Sequence, residues 1–212
     1  VNFTPVKTSK FIKRIFPSLI WEYPSQNKVI YLTFDDGPTP EITDWVLDIL
    51  NKYNAKATFF CIGKNIETNP EIFKRILHEK HSIGNHTYNH LKGWKTKTKT
   101  YLHNIESTEK AFNSFNFKTS LFRPPYGQIK SKQAKQLLKR GYKIIMWRVL
   151  SIDWSNKISE EKCLNNVIKN TVSGDIVVFH DSIKASKNLR YALPKVLEYF
   201  SEKGFIFKRI LE

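Results

Sequence analysis

Polar side chains that can bind a metal or move a proton stand at the ends of apolar runs. They are Asp35 and Asp36 in TFDDGP, His86 and His90 in HTYNH, Arg123 in RPPYG, Asp153 in SIDW, and His180 with Asp181 in VVFHD. His86 and His90 are four residues apart. On a helical turn, imidazoles so spaced share a face and grip one metal ion. A carboxylate from another strand end, Asp35 or Asp36, would complete three protein ligands and leave a coordination position for water. The other acid of the pair would stay unligated and take a proton from that water, whose pKa a bound metal lowers to roughly 7. The hydroxide would attack a carbonyl, and the oxyanion would need the metal and a backbone N–H. In RPPYG the two prolines carry no N–H, so Tyr126 offers the first free one, held in a rigid turn. Arg123 can orient the free carboxylate and keep its pKa low. His180 is the candidate acid for a leaving nitrogen. Each piece alone has a plainer reading: Asp-Gly-Pro is turn chemistry, a histidine pair is often structural, and Pro-Pro is a turn.

The elements that must position these residues alternate between strand and helix. Apolar runs at KVIYLTF (28–34), KATFFCI (56–62), HSIGNHT (81–87), SLF (120–122), YKIIMWRVL (142–150), GDIVVFHD (174–181) and FIFKRIL (205–211) read as strands. Between them lie helical patterns, with Ile42, Trp45, Val46, Ile49 and Leu50 on one face of the first. Asn69, with Pro70 after it, and Ser159 are expected N-caps, and Gly141 closes a helix. Such alternation predicts an α/β fold: a distorted or partly open (β/α) barrel of about seven parallel strands, TIM-barrel-like. Function in such folds sits at the carboxyl ends of the strands. The candidate residues follow five different strands, which favours a shared site over five unrelated turns.

The chain has 212 residues, enough for one sizeable core, and no internal repeat. No apolar run reaches membrane-spanning length. Cys61 and Cys163 are far apart and read as core thiols rather than a disulfide framework. The net charge of +16 favours anionic partners such as a membrane surface or cell-wall polymer. The densest cluster, LKGWKTKTK at 91–99, reads as a solvated loop and helix start. Residues 1–26 form an N-terminal extension before a domain at 27–212. Its segment 7–21 is basic and amphipathic. Phe11, Ile12, Ile15 and Phe16 are expected to pack onto the barrel, since Pro17 stops the helix; a membrane surface is the alternative.

The chain resembles polysaccharide deacetylases of carbohydrate esterase family 4, the group sharing the NodB homology domain. TFDDGP, HTYNH, RPPYG, the DW of Asp153 and Trp154, and VVFH match five motifs in order, over nearly the whole chain from Lys28. The resemblance implies that Asp35 is the general base and that Asp36, His86 and His90 bind a divalent metal. Zinc is the first expectation, with Co, Ni, Mn or Fe as alternatives. It also implies that Arg123 holds Asp35, that the Tyr126 N–H joins the oxyanion hole, and that Asp153 orients His180, the general acid. Trp154 would wall an acetyl pocket, with Val178 where the family more often has Leu. Leu150 stands where the fourth motif often carries a further Asp.

The expected activity is metal-dependent N-deacetylation of an acetylated amino sugar in peptidoglycan or a chitin-like oligosaccharide. The same chemistry on an O-acetyl ester, formamide or cyclic imide is the alternative. A non-catalytic glycan-binding pseudoenzyme is a remoter one, since such proteins lose a ligand or the base. No nucleic-acid module is present, so no nucleic-acid partner is expected, and nothing demands more than a monomer. Bacterial cytoplasm and cell envelope both remain open as locations.

Overall fold

Strand β1 (Val29–Asp35) is the spine of the molecule. It pairs in parallel with β2 (Thr58–Cys61) on one side and β7 (Ile176–His180) on the other, while its first residues pair with β8 (Ile206–Phe207). The computed structural model describes residues 5–211. From β2 the sheet continues through β3 (Ser82–Asn85), β4 (Leu121–Phe122) and β5 (Lys143–Ile144); from β7 it continues to β6 (Val149–Leu150). Every one of these pairings is parallel.

The expected strand at 142–150 is two short strands at opposite ends of this order. Its first half pairs with β4 and its second with β7. One continuous run therefore closes the sheet on itself by crossing the gap, and Ile145–Arg148 lie between the halves. The N-terminal extension completes the wall there. Ile20 donates to the Ile144 carbonyl and accepts from Met146 N–H, Thr8 N–H donates to Arg148, and Leu150 N–H donates to Val6. Tyr23 N–H reaches Gly174, just before β7. Of the 1–26 extension, residues 1–4 lie outside the described residues.

The helix α1 (Lys10–Ile15) within that extension buries none of its residues. Phe11, Ile12, Ile15 and Phe16 face outward, contrary to the expected packing. Leu19 and Trp21 supply the buried contacts instead, after Pro17 has ended the helix.

Period-two alternation sorts the strand residues. Ile30, Leu32 and Phe34 of β1 pack outward in the main core with Val46, Leu47 and Leu50 of α2 (Ile42–Lys52). That core also takes Phe73 and Ile76 of α4 (Pro70–His78), Val167 of α7 (Glu160–Ile168), and Leu193 and Leu197 of α8 (Ser186–Glu202). The opposite face holds a smaller cluster that includes Phe60, Leu121, Ile145 and Ile176. Ser159 caps α7 as expected, its side chain accepting from Lys162 N–H. Asn69 precedes α4 without a capping bond; its amide donates to Pro38 and Asn65 carbonyls instead. Two further helices, α5 (Thr98–Asn113) and α6 (Ser131–Lys139), flank β4 and β5 in sequence; α6 ends at Gly141, φ 86°. Both cysteines are buried free thiols. Among the described residues no helix is long and apolar enough to cross a membrane.

Candidate active site

Strand alternation should throw Asp35 and Asp36 to opposite faces. Thr33 and Asp35 point to the inner side, where both meet Arg123. Asp36 leaves the strand with φ 81°, a left-handed conformation that swings its carboxylate round to the same opening. Two distant elements hold this turn. Asn65 of α3 (Gly63–Thr68) donates to the Asp36 carbonyl at 2.7 Å, and Asp181 accepts the Gly37 N–H at 3.1 Å. Asp181 is fully buried and also accepts from Thr43 at 2.5 Å. Burial, with Asp36 nearby, pushes its carboxyl up to about 7.

His86 and His90 lie not on a helical turn but on a loop after β3, in which Thr87 and His90 have φ of 63° and 55°. The loop still brings them together, with ring centroids 5.1 Å apart. Ligand atoms of Asp36, His86 and His90 all lie within 4.8 Å of one another. His86 Nδ1 is 2.8 Å from the Arg123 carbonyl, which only accepts, so Nδ1 carries the proton and Nε2 presents its lone pair. Burial holds His86 down at about 4, despite Asp35 nearby, and thus neutral. Asp36 Oδ1 is buried 3.1 Å from His90 Nε2 and 3.7 Å from His86 Nε2, yet accepts no well-formed hydrogen bond. Burial opposes its charge, but the His90 contact and the nearby His180 hold its carboxyl well below the usual range. Two imidazoles and one carboxylate whose ligand atoms converge in this way fit a divalent cation, and the donor set suits a borderline transition metal.

Beside this triad stand two ionic couples. Arg123 is fully buried and bonds Asp35 Oδ1 at 2.7 Å. It also donates to Thr33 Oγ1 at 2.7 Å and to the carbonyls of Ile145 at 3.2 Å and Met146 at 2.8 Å, while lying 4.1 Å over the Phe60 ring. The break in the 142–150 strand turns those two carbonyls toward the guanidinium. On the far side, Asp153 grips His180 twice: its carboxylate is 2.8 Å from Nδ1 and accepts the His180 backbone N–H at 2.7 Å. Burial alone would lower His180; Asp153 outweighs it and raises the imidazole to about 9. The Trp154 ring stands edge-on to His180 at 4.8 Å.

Tyr126 has φ 59°, inside a single tight turn at Pro125–Gly127, and its ring lies 4.6 Å from His90. Asp35, Asp36, His86, His90, Tyr126, Trp154, Val178 and His180 all line one cleft of about 860 Å³, with Leu150 in its wall. Arg123 and Asp153 stand behind it, each bonded to a lining residue. Asn65, Asn69, Trp147 and Gln128 line it too and carry no signal in the motifs. Asp181 had one, its place after His180 at a strand end.

Known proteins settle the family. The polysaccharide deacetylase family profile matches residues 22–145. A peptidoglycan-N-acetylglucosamine deacetylase of Bacillus cereus is 39% identical over 194 residues, covering 91% of each chain. This chain belongs to the polysaccharide deacetylase family. The crystal structure of the Bc1960 peptidoglycan N-acetylglucosamine deacetylase superposes with a TM-score of 0.88 at 33% identity, covering 98% of this chain and 95% of that one. A carbohydrate esterase family 4 pseudoenzyme from Bacillus anthracis, BA3943, also superposes, with a TM-score of 0.82 at 26% identity over 92% of this chain and 68% of its own. The family is metal-dependent, and this polysaccharide deacetylase has an Asp-His-His cluster able to hold the ion.

Proposed function

We propose that this enzyme removes the N-acetyl group from N-acetylglucosamine residues of peptidoglycan, using zinc held by Asp36, His86 and His90. The observation that carries the reading is the placement of an Arg-held carboxylate and an Asp-held imidazole in one cleft with the ligand triad. The relatives named for peptidoglycan supply the substrate class. When bound, the ion supplies Lewis acidity that brings the pKa of a water toward roughly 7. Asp35, held by Arg123, accepts that water's proton as oxygen adds to the amide carbonyl. The Tyr126 N–H is the donor assigned to the developing oxyanion. His180 gives the proton that lets the C–N bond break, and acetate and the sugar amine leave. Trp154, Val178 and Leu150 surround the acyl methyl and keep water from its far side.

The test is acetate release from peptidoglycan and from N-acetylglucosamine oligomers, with metal-stripped protein before and after zinc. Zinc-restored release, lost in Asp36→Ala and His86→Ala together with the metal, is expected. Tight zinc without acetate from either glycan would overturn the substrate. Failure to bind a divalent ion would overturn the site.

A further inference from the structure

The N-terminal lap carries an exposed apolar face that the fold does not use. Phe11 is 71% exposed, Ile15 51%, Phe16 48% and Ile12 37%. Phe11 and Ile15 are four apart and share one face of α1; Lys10 and Arg14, equally spaced and both exposed, run beside them. Lys13 points the other way and is ion-paired to Glu22. The segment is not a loose tail. Val6 and Thr8 bond to Leu150 and Arg148 before it, and Ile20 and Tyr23 bond to Ile144, Met146 and Gly174 after it. The Trp21 indole donates to the Phe16 carbonyl, fixing the exit. A segment held by both ends thus displays four large apolar side chains to solvent, where they forgo the gain that burial would bring.

We infer that α1 and Phe16 dock this protein on an anionic lipid bilayer. Lys10 and Arg14 extend their charged heads past the apolar stripe, an arrangement that suits lipid phosphates above acyl chains. The net charge of +16 reinforces the attraction. Glu22, which holds Lys13, lies opposite Asp175, at the start of β7. His180 lies at the other end of that strand, about 16 Å beyond Asp175.

The experiment is flotation of the whole chain with vesicles of phosphatidylcholine alone or with phosphatidylglycerol added. Flotation with the anionic vesicles only is expected, weakened when ionic strength rises from about 0.1 to about 1 M, where the screening length falls from about 10 to about 3 Å. Phe11→Ser with Ile15→Ser should cut binding about tenfold or more while leaving thermal stability unchanged, since both side chains are exposed. Lys10→Glu with Arg14→Glu should cut it similarly. Lys132→Glu with Lys135→Glu, an equal charge change on the exposed face of α6, should cut it far less. Equal losses from both charge pairs would overturn the inference in favour of diffuse attraction. Binding unaffected by the serine variants would overturn it as well. A dimer in sedimentation that those variants dissolve would assign the face to a second copy and also overturn it.

Discussion

The two ionic couples beside the ligand triad look alike in the sequence, one acid and one base each, and behave oppositely. Arg123–Asp35 pairs the acid with a permanent cation that is itself anchored by three further oxygens. His180–Asp153 pairs the acid with a cation that can release its proton, set at about 9. Under the proposed roles, a charge that must persist through the reaction is matched with arginine, and a proton that must move is placed on histidine. Asp153 itself is anchored from behind, its carbonyl accepting from Asn188 at 2.9 Å and its N–H donating to Ser151 at 3.2 Å. Its carboxylate is thus spent wholly on His180.

Removing the permanent cation should have the largest effect. Arg123→Met leaves Asp35 buried without its partner and strips donors from the Ile145 and Met146 carbonyls. The expected loss is about 3–5 kcal/mol of folding stability, together with activity. Urea denaturation checks it. A variant as stable as the parent would show that the Arg123 network does not hold the broken strand.

Asp35→Asn keeps the shape and removes the proposed base. The turnover rate should fall about 10²–10⁴-fold while zinc content stays the same. Metal analysis beside single-turnover kinetics separates the two. Zinc lost along with the rate would move Asp35 into the ligand set.

Asp153→Asn should cost less, about 10–100-fold in rate. Its sharper readout is pH. As the proposed acid His180 must be protonated to act, so activity should fall as pH rises through its pKa; without Asp153 that alkaline limb should move to lower pH. Stability carries the same sign in metal-free protein. The folded imidazole at about 9 lies above its ordinary 6.5, so its contribution is full below pH 6.5 and is lost as pH climbs through 9. The variant should lose that slope. An unmoved alkaline limb would end the assignment of His180 as the acid.

Much of this site was legible because each chemical group lies within a few residues of a strand end, where local spacing survives folding. Asp35, Asp36, His86, His90, Arg123, Asp153 and His180 were all named from such stretches, and the alternation of strands and helices fixed which end they share. What local pattern cannot carry is backbone handedness and long-range pairing. Nothing in HTYNH says that Thr87 and His90 take positive φ, so a helical turn was expected where a loop stands. The run 142–150 reads as one strand because its apolar residues are continuous; it divides because β4 claims one half and β7 the other. The outward face of α1 was misjudged on the rule that apolar residues go inside. Asn65 and Asp181 support the Asp36 turn from 29 and 144 residues away, and no spacing rule spans that.

That turn gives the smallest effect predicted and a direct test of how closely the first and last motifs fit. A Cβ on Gly37 would lie 2.0 Å from Asp181 Oδ2, so the residue between the paired aspartates and the proline can carry no side chain while Asp181 stays in place. Gly37→Ala must push that carboxylate away and break its bond from the Gly37 N–H. A cost of about 1–3 kcal/mol is expected, as for other overpacked sites. Because the turn also aims Asp36, zinc affinity should fall with stability. Adding Asp181→Ala makes room for the methyl group but removes the acceptor. The double variant should therefore regain stability over Gly37→Ala alone without recovering zinc affinity. If both recover together, Asp181 only fills space; if neither does, the clash lies elsewhere in the turn.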